Sequence, residues 1–235
     1  MITSSELIIE GSYNYLQGNK LYSIENFKLS RRLESHFFFF EAEVLSRIET
    51  GEFLKIKVFY ELNQNMTPVA MKIEKSLGEK YSLETFEVSP VAHELTYKFT
   101  SEGKTKSLTK NHSVKHYLSS PAVCTSAVFS LTKKFDSTGK TPVILVAGHQ
   151  SWQIDYAQPI ESTLFAEYNN RETIELNIAG QSLEAQSLSL FENDSLALVG
   201  QESKVELMLS KHYSIPYQLI DKDLRVDIKF LKRVD

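Results

Sequence analysis

Apolar and polar residues alternate along most of this chain, from Leu7 to Leu231, and that periodicity constrains the fold more than any other feature. Phe53-Leu-Lys-Ile-Lys-Val-Phe-Tyr60, Val69-Ala-Met-Lys-Ile-Glu74, Val91-Ala-His-Glu-Leu-Thr-Tyr-Lys-Phe99 and Leu224-Arg-Val-Asp-Ile-Lys-Phe230 all show it. A period of two places one residue set on each face of a sheet, so each segment reads as a half-buried antiparallel strand. A chain without strand–helix–strand units offers no place for a phosphate-binding loop at a helix start. No catalytic motif takes that place.

Turn signals punctuate the strands. Gln17-Gly-Asn-Lys20, Thr50-Gly-Glu52, Leu77-Gly-Glu-Lys80, Ser101-Glu-Gly-Lys104 and Asn169-Asn-Arg-Glu172 each lie between apolar-periodic runs. Glycine or asparagine there supplies the positive φ of a tight hairpin. The runs predict about a dozen strands, with Ser35 to Thr50 unusually long, and long strands joined by tight turns predict a strongly curved sheet. Phe37-Phe-Phe-Phe40 points aromatics to both faces, which requires cover on both sides; either a core strand or one wall of an apolar cavity answers that requirement. Leu183 to Phe191 changes phase midway, which predicts a bulge or a strand passing between two packing environments.

Residues 119–135 break the strand pattern. Ser120 before Pro121 is a helix-start signal, and Val123, Ala127, Val128, Leu131 and Phe135 then fall on one helical face. Lys133 and Lys134 suit the C-terminal end of a helix, and Asp136-Ser-Thr-Gly139 stops it. The expected architecture is therefore mainly β: a curved antiparallel sheet, a β-roll or half-barrel, with one short helical insertion near 120–135. No Pro/Gly/Ser-rich linker divides the 235 residues. A single β domain over 1–235 is expected, with strand runs 1–118 and 140–235 flanking an insertion at 119–139.

The formal net charge of −4 argues against a nucleic-acid partner, which needs a basic surface to displace counterions. Lys55, Lys57, Lys72, Lys75 and Lys98 read as a solvated face, and Lys104 to Lys115 as a solvated loop. The single cysteine, Cys124, excludes an internal disulfide and sits on the apolar side of the insertion as inert core. No apolar run is long enough to span a membrane as a helix. The first ten residues lack a basic stretch and a long apolar stretch, so a cytoplasmic location is expected.

The histidines give no metal signature. His112 and His116 would sit about 13 Å apart on an extended chain, and no further ligand pattern accompanies them. Gly148-His-Gln-Ser-Trp152 lacks the second glycine and the strand-to-helix turn of a nucleophile elbow. No cofactor is expected. Amphipathic aromatics are better candidates, because tyrosine and tryptophan pair an apolar body with a polar handle. Tyr60, Tyr97, Trp152, Tyr156, Tyr213 and Tyr217, with His149 and His212, form the candidate ligand-binding set for an apolar molecule with a polar head.

Two stretches carry a family likeness: Tyr117-Leu-Ser-Ser-Pro-Ala-Val-Cys-Thr-Ser-Ala-Val-Phe129 and Val205-Glu-Leu-Met-Leu-Ser-Lys-His-Tyr-Ser-Ile-Pro-Tyr-Gln-Leu219. Strands, a Pro-started insertion and a second run of strands resemble the spiral β-roll of LolA-like lipoprotein carriers. The likeness is greater to bacterial DUF3108-type and glycolipid-binding proteins of that fold. The resemblance covers about residues 53–231. It implies a concave face, covered by the insertion, that holds an acyl chain or similar apolar molecule.

The expected function is non-catalytic binding of a hydrophobic small molecule, a lipid or glycolipid, in the concave face. Two alternatives stand beside it. One is a cofactor-free biosynthetic enzyme acting on an apolar intermediate in the same cavity, with His149, His212 or Tyr156 as its polar group. The other is a protein–protein interaction module with a solid core, pairing through edge strands such as Leu7 to Leu16, homodimerisation included.

Overall fold

The computed structural model describes residues 4–89, 91–111, 116–132, 135, 140–148, 152–169, 173–178, 180–192 and 204–234. The strands are β1 (Ser5–Gln17), β2 (Lys20–Arg32), β3 (Phe38–Arg47), β4 (Phe53–Leu62), β5 (Pro68–Leu77), β6 (Lys80–Ser89), β7 (Glu94–Ser101) and β8 (Lys104–Asn111) in the first half. The second half contributes β9 (Tyr117–Ser119), β10 (Thr141–Ala147), β11 (Ile160–Tyr168), β12 (Ile174–Ile178), β13 (Gln181–Glu192), β14 (Lys204–Ser210), β15 (Pro216–Asp221) and β16 (Leu224–Arg233). All sixteen belong to one sheet, where about a dozen strands were expected.

The sheet is a mainly antiparallel curved ribbon that does not close. Its order runs β8 to β1 in reverse, then β16, β15, β14, β13, β11, β10 and β9, with β12 attached to β13. The first eight strands form one uninterrupted meander. The β7–β8 hairpin turns on Glu102 and Gly103, with φ of 49° and 72°. Two successive positive φ values are what a two-residue turn between right-twisted strands requires. Pairing of β1 with β16, from Gln17 opposite Leu224 to Ile9 opposite Arg233, joins the two halves. Leu7 to Leu16 is therefore central rather than an edge, paired on one side by β2 and on the other by β16. This corrects the expectation of docking through that strand, whose backbone groups are already used in the ladder.

Alternation fixes which face is buried. In β4, Leu54, Ile56, Val58, Tyr60 and Leu62 are buried and the intervening residues are not. The buried residues meet Phe27 and Leu29 of β2, Phe40 and Val44 of β3, Met71 and Ile73 of β5 and Phe86 of β6 in one cluster. A second cluster lies in the later half, among Val143 of β10, Ala166 of β11, Leu188 and Leu190 of β13 and Leu207 and Leu209 of β14. Strand β13 spans both: Ala185 belongs to the first cluster and Leu188 to the second. Its partner across from β14 changes at that point from β12 to β11, which accounts for the phase slip in the sequence.

The insertion joins the two cores. Leu118, Ala122, Val123, Cys124 and Val128 enter the first, while Tyr117, Ala127 and Phe129 enter the second. Its helical character is present at the expected place but takes the form of two 3-10 turns, Val123–Thr125 and Val128–Leu131. Ser120 Oγ accepts the Ala122 N–H at 3.0 Å, ahead of the first turn. Amides bond three residues back, as in Ser126 to Val123 and Ser130 to Ala127. The β-branched residues in the segment disfavour a longer α-helix.

Four further expectations are corrected. Lys104 to Asn111 form strand β8 rather than a solvated loop, and residues 112–115 lie outside the described residues. Strand β3 has 10 residues rather than filling Ser35 to Thr50; the longest strands are β1 and β2, with 13 each. Val91 to His93 form a turn before β7 rather than its start. Trp152 to Tyr156 are not a strand but part of a covering loop, with Ile154 buried beneath it.

Candidate functional site

Inward strand positions are not uniformly apolar. Residues 71, 73 and 75 share a face of β5, so burying Met71 and Ile73 also buries Lys75. The same parity buries Glu84 beside Phe86 in β6, and Glu25 beside Phe27 in β2. Lys75 therefore departs from the solvated lysine face expected for it. Lys72 and Lys75 are three apart, and an odd spacing in a strand places two residues on opposite faces.

Lys75 Nζ lies 2.7 Å from Glu84 Oε1, with the two side chains 3% and 4% exposed. Tyr97 OH donates to Glu84 Oε2 at 3.1 Å, and Lys75 donates to the Gln153 carbonyl at 3.0 Å. Gly148 packs so closely on this carboxylate that a Cβ there would collide with Glu84 Oε2. The loop after β10 is thus fastened to the meander through a buried ion pair.

Glu25 makes a second fastening. Its Oε2 accepts the Val123 N–H at 2.8 Å and its Oε1 the Cys124 N–H at 3.1 Å. Tyr15 OH donates to the same carboxylate in a short bond. Burial raises the Glu25 pKa above the ordinary carboxyl value, although Tyr15 and the two amides pull it down. Burial, reinforced by Glu25, pushes the Cys124 thiol well above its usual value, and its side chain lies in the core.

These contacts separate the seven candidate residues that the structure describes rather than gathering them round one cavity. Tyr60 OH donates to the Leu118 carbonyl at 3.2 Å, and Tyr97 OH to Glu84, so both polar handles are used by the protein's own plug and core. Tyr156 stands against Phe99 at 5.3 Å between ring centres, with Lys106 Nζ 3.8 Å above its ring. Tyr213 packs against Phe38 at 6.2 Å, and Phe39 lies under the Arg32 guanidinium at 4.5 Å. His149 lies outside the described residues. His212 and Tyr217 line a groove of about 380 Å³ with Leu183, Leu231, Lys211 and Arg233.

Trp152 occupies a different place. It packs edge-on against Tyr15 at 5.9 Å, and Tyr15 in turn meets Tyr22 at 6.1 Å. The indole remains 38% exposed. Trp152 and Tyr22 wall a groove of about 450 Å³ together with Ile48, Leu54 and Leu224. Gln17, Ser46, Asp221, Lys222 and Asp223 complete its lining. The groove sits where the β1–β2, β3–β4 and β15–β16 turns converge. Sequence reasoning found Trp152 but missed Tyr22 and Asp221, because bringing the β15–β16 turn beside the β1–β2 turn depends on the β1–β16 pairing.

Among the described residues, no three His, Cys, Asp or Glu side chains converge to hold a metal ion. No described helix is long and apolar enough to cross a membrane. A solved structure from Brucella abortus, a beta-barrel-like protein of the domain of unknown function DUF1849, is similar over 99% of this chain and 100% of its own. The TM-score is 0.60 at 7% sequence identity, a likeness of fold. No protein-family model matches the chain, and neither does any curated protein.

Proposed function

We propose that this protein binds an apolar small molecule with a polar end, of the lipid or glycolipid kind, without catalysis, and that the groove under Trp152 holds it. The ligand class is the one implied by the LolA-like and DUF3108-type resemblance; its place moves from the concave interior to the rim. That move follows from the interior contacts, where Tyr60 donates to Leu118 of the 117–131 segment and Tyr97 donates to Glu84. The observation that carries the reading is an indole held by Tyr15 yet left open over Ile48, Leu54 and Leu224. Pockets for small ligands are commonly about 300–1,000 Å³ with an apolar lining and a few polar groups. Each methylene removed from water there contributes about 0.8 kcal/mol. The catalytic alternative needs a polar side chain fixed inside a cavity; of its candidates, His212 is exposed at a groove rim, Tyr156 packs against Phe99 under Lys106, and His149 lies outside the described residues.

Trp152 is the only tryptophan in the chain, so indole fluorescence reports this groove alone. Titration with octyl glucoside below its micelle concentration is expected to give a saturable blue shift. Tyr22→Ala should raise the half-saturation concentration about tenfold, equivalent to about 1.4 kcal/mol. An emission maximum that does not move in the folded wild type would remove the groove as the ligand site.

A further inference from the structure

We propose that the polar end of the ligand is cationic, an amine or a quaternary ammonium. This deepens the reading above and rests on the Trp152 groove being a ligand site. Two carboxylates, Asp221 and Asp223, line the groove against one ammonium, Lys222, which is exposed at the tip of the β15–β16 turn with φ of 51°.

Asp221 is the unusual one. Its Oδ1 is shut off from solvent and has no hydrogen-bond partner among the described residues. The fully buried carboxylates are treated differently: Glu84 has Lys75 and Tyr97, and Glu25 has Tyr15 and two amides. A carboxylate left without a partner in this way keeps its charge uncompensated at the groove wall, and a cation seated in the groove offsets it. The other walls suit a cation as well, since the faces of Trp152 and Tyr22 attract positive charge through the ring quadrupole. Gln17 and Ser46 are neutral. An anionic head would face two carboxylates here, whereas the groove beside His212 holds Arg233 and a Lys211 already paired with Glu184 at 3.0 Å.

Three octyl amphiphiles test this on the full-length chain: octyltrimethylammonium, octyl glucoside and octyl sulfate, each below its micelle concentration and followed by Trp152 emission. The trimethylammonium compound is expected to half-saturate at no more than a tenth of the glucoside concentration, with the sulfate weakest. Added salt should narrow that gap, since the groove is open to solvent. Asp221→Asn, which preserves shape, should bring the ammonium-to-glucoside ratio close to one. Equal binding of ammonium and glucoside to the wild type would overturn the cationic end while leaving the groove a ligand site. A preference that survives in Asp221→Asn would overturn the role of Asp221. No saturable response to any of the three would bring down the groove reading itself.

Discussion

Glu84→Ala is expected to lower the unfolding free energy by about 3–5 kcal/mol, the range seen when one partner of a buried ion pair is removed. The substitution takes away a carboxylate 2.7 Å from an ammonium that is 3% exposed, and it removes the acceptor of Tyr97. Solvent cannot compensate at that depth, so the discount that applies to surface pairs does not apply here. Lys75→Met combined with Glu84→Leu should recover more than half of the loss, because an apolar pair of similar volume avoids the desolvation cost. Urea midpoints of Lys75→Met, Glu84→Leu and the double variant form a cycle that reads the coupling directly. A double variant no more stable than Glu84→Ala would show that the loss does not come from stranding the Lys75 charge.

Glu25→Ala should cost about 3–5 kcal/mol by a different route. It leaves the Cys124 amide and the Tyr15 hydroxyl without their acceptor and the Val123 amide with only Tyr15 OH at 3.3 Å, and each buried orphan costs about 1–3 kcal/mol. Two of these contacts, at Val123 and Cys124, hold the 117–131 segment, so its detachment should precede global unfolding. Cys124, the only cysteine, reports that event: its modification by a thiol reagent under native conditions should be at least tenfold faster in the variant. The same carboxyl gives a pH signature. Its folded pKa is raised, so the stability it contributes is fully present below the unfolded carboxyl value and is lost as pH rises through the folded one. Relative to Glu25→Gln, the wild type should therefore gain stability as pH falls from neutrality toward the ordinary carboxyl range. A difference that is flat, or that moves the other way, would mean that burial does not dominate the environment of Glu25.

Much of the fold was legible because a strand's periodicity is local. The burial pattern of β4 can be read directly from Phe53 to Leu62, and the positive φ at Gly18, Gly78 and Gly103 falls where the turn residues stand. The phase slip in β13 likewise marked a change of partner. The pairing of β1 with β16 was not legible, since it joins residues more than 200 positions apart and leaves no local signal. That one contact turned a supposed edge strand into the centre of the sheet and brought the Asp221 turn to Tyr22. Lys75, Glu25 and Glu84 were available in principle through parity with their apolar neighbours. Charge alone suggested a solvated face, and the parity argument outweighs it. The insertion was recognisable from Ser120-Pro121, but the buried carboxylate that takes up its Val123 and Cys124 amides lies far away in sequence and left no local signal.

Native mass spectrometry of protein purified from its own host, wild type and Trp152→Ala side by side, tests the central claim most directly. The wild type is expected to carry one lipid-sized adduct at unit stoichiometry, and the folded Trp152→Ala protein to lose it at the same activation energy. An adduct retained unchanged in the variant would place the ligand elsewhere on the molecule. A wild type that stays free of adduct even after challenge with lipid would contradict the binding account and favour an interaction module.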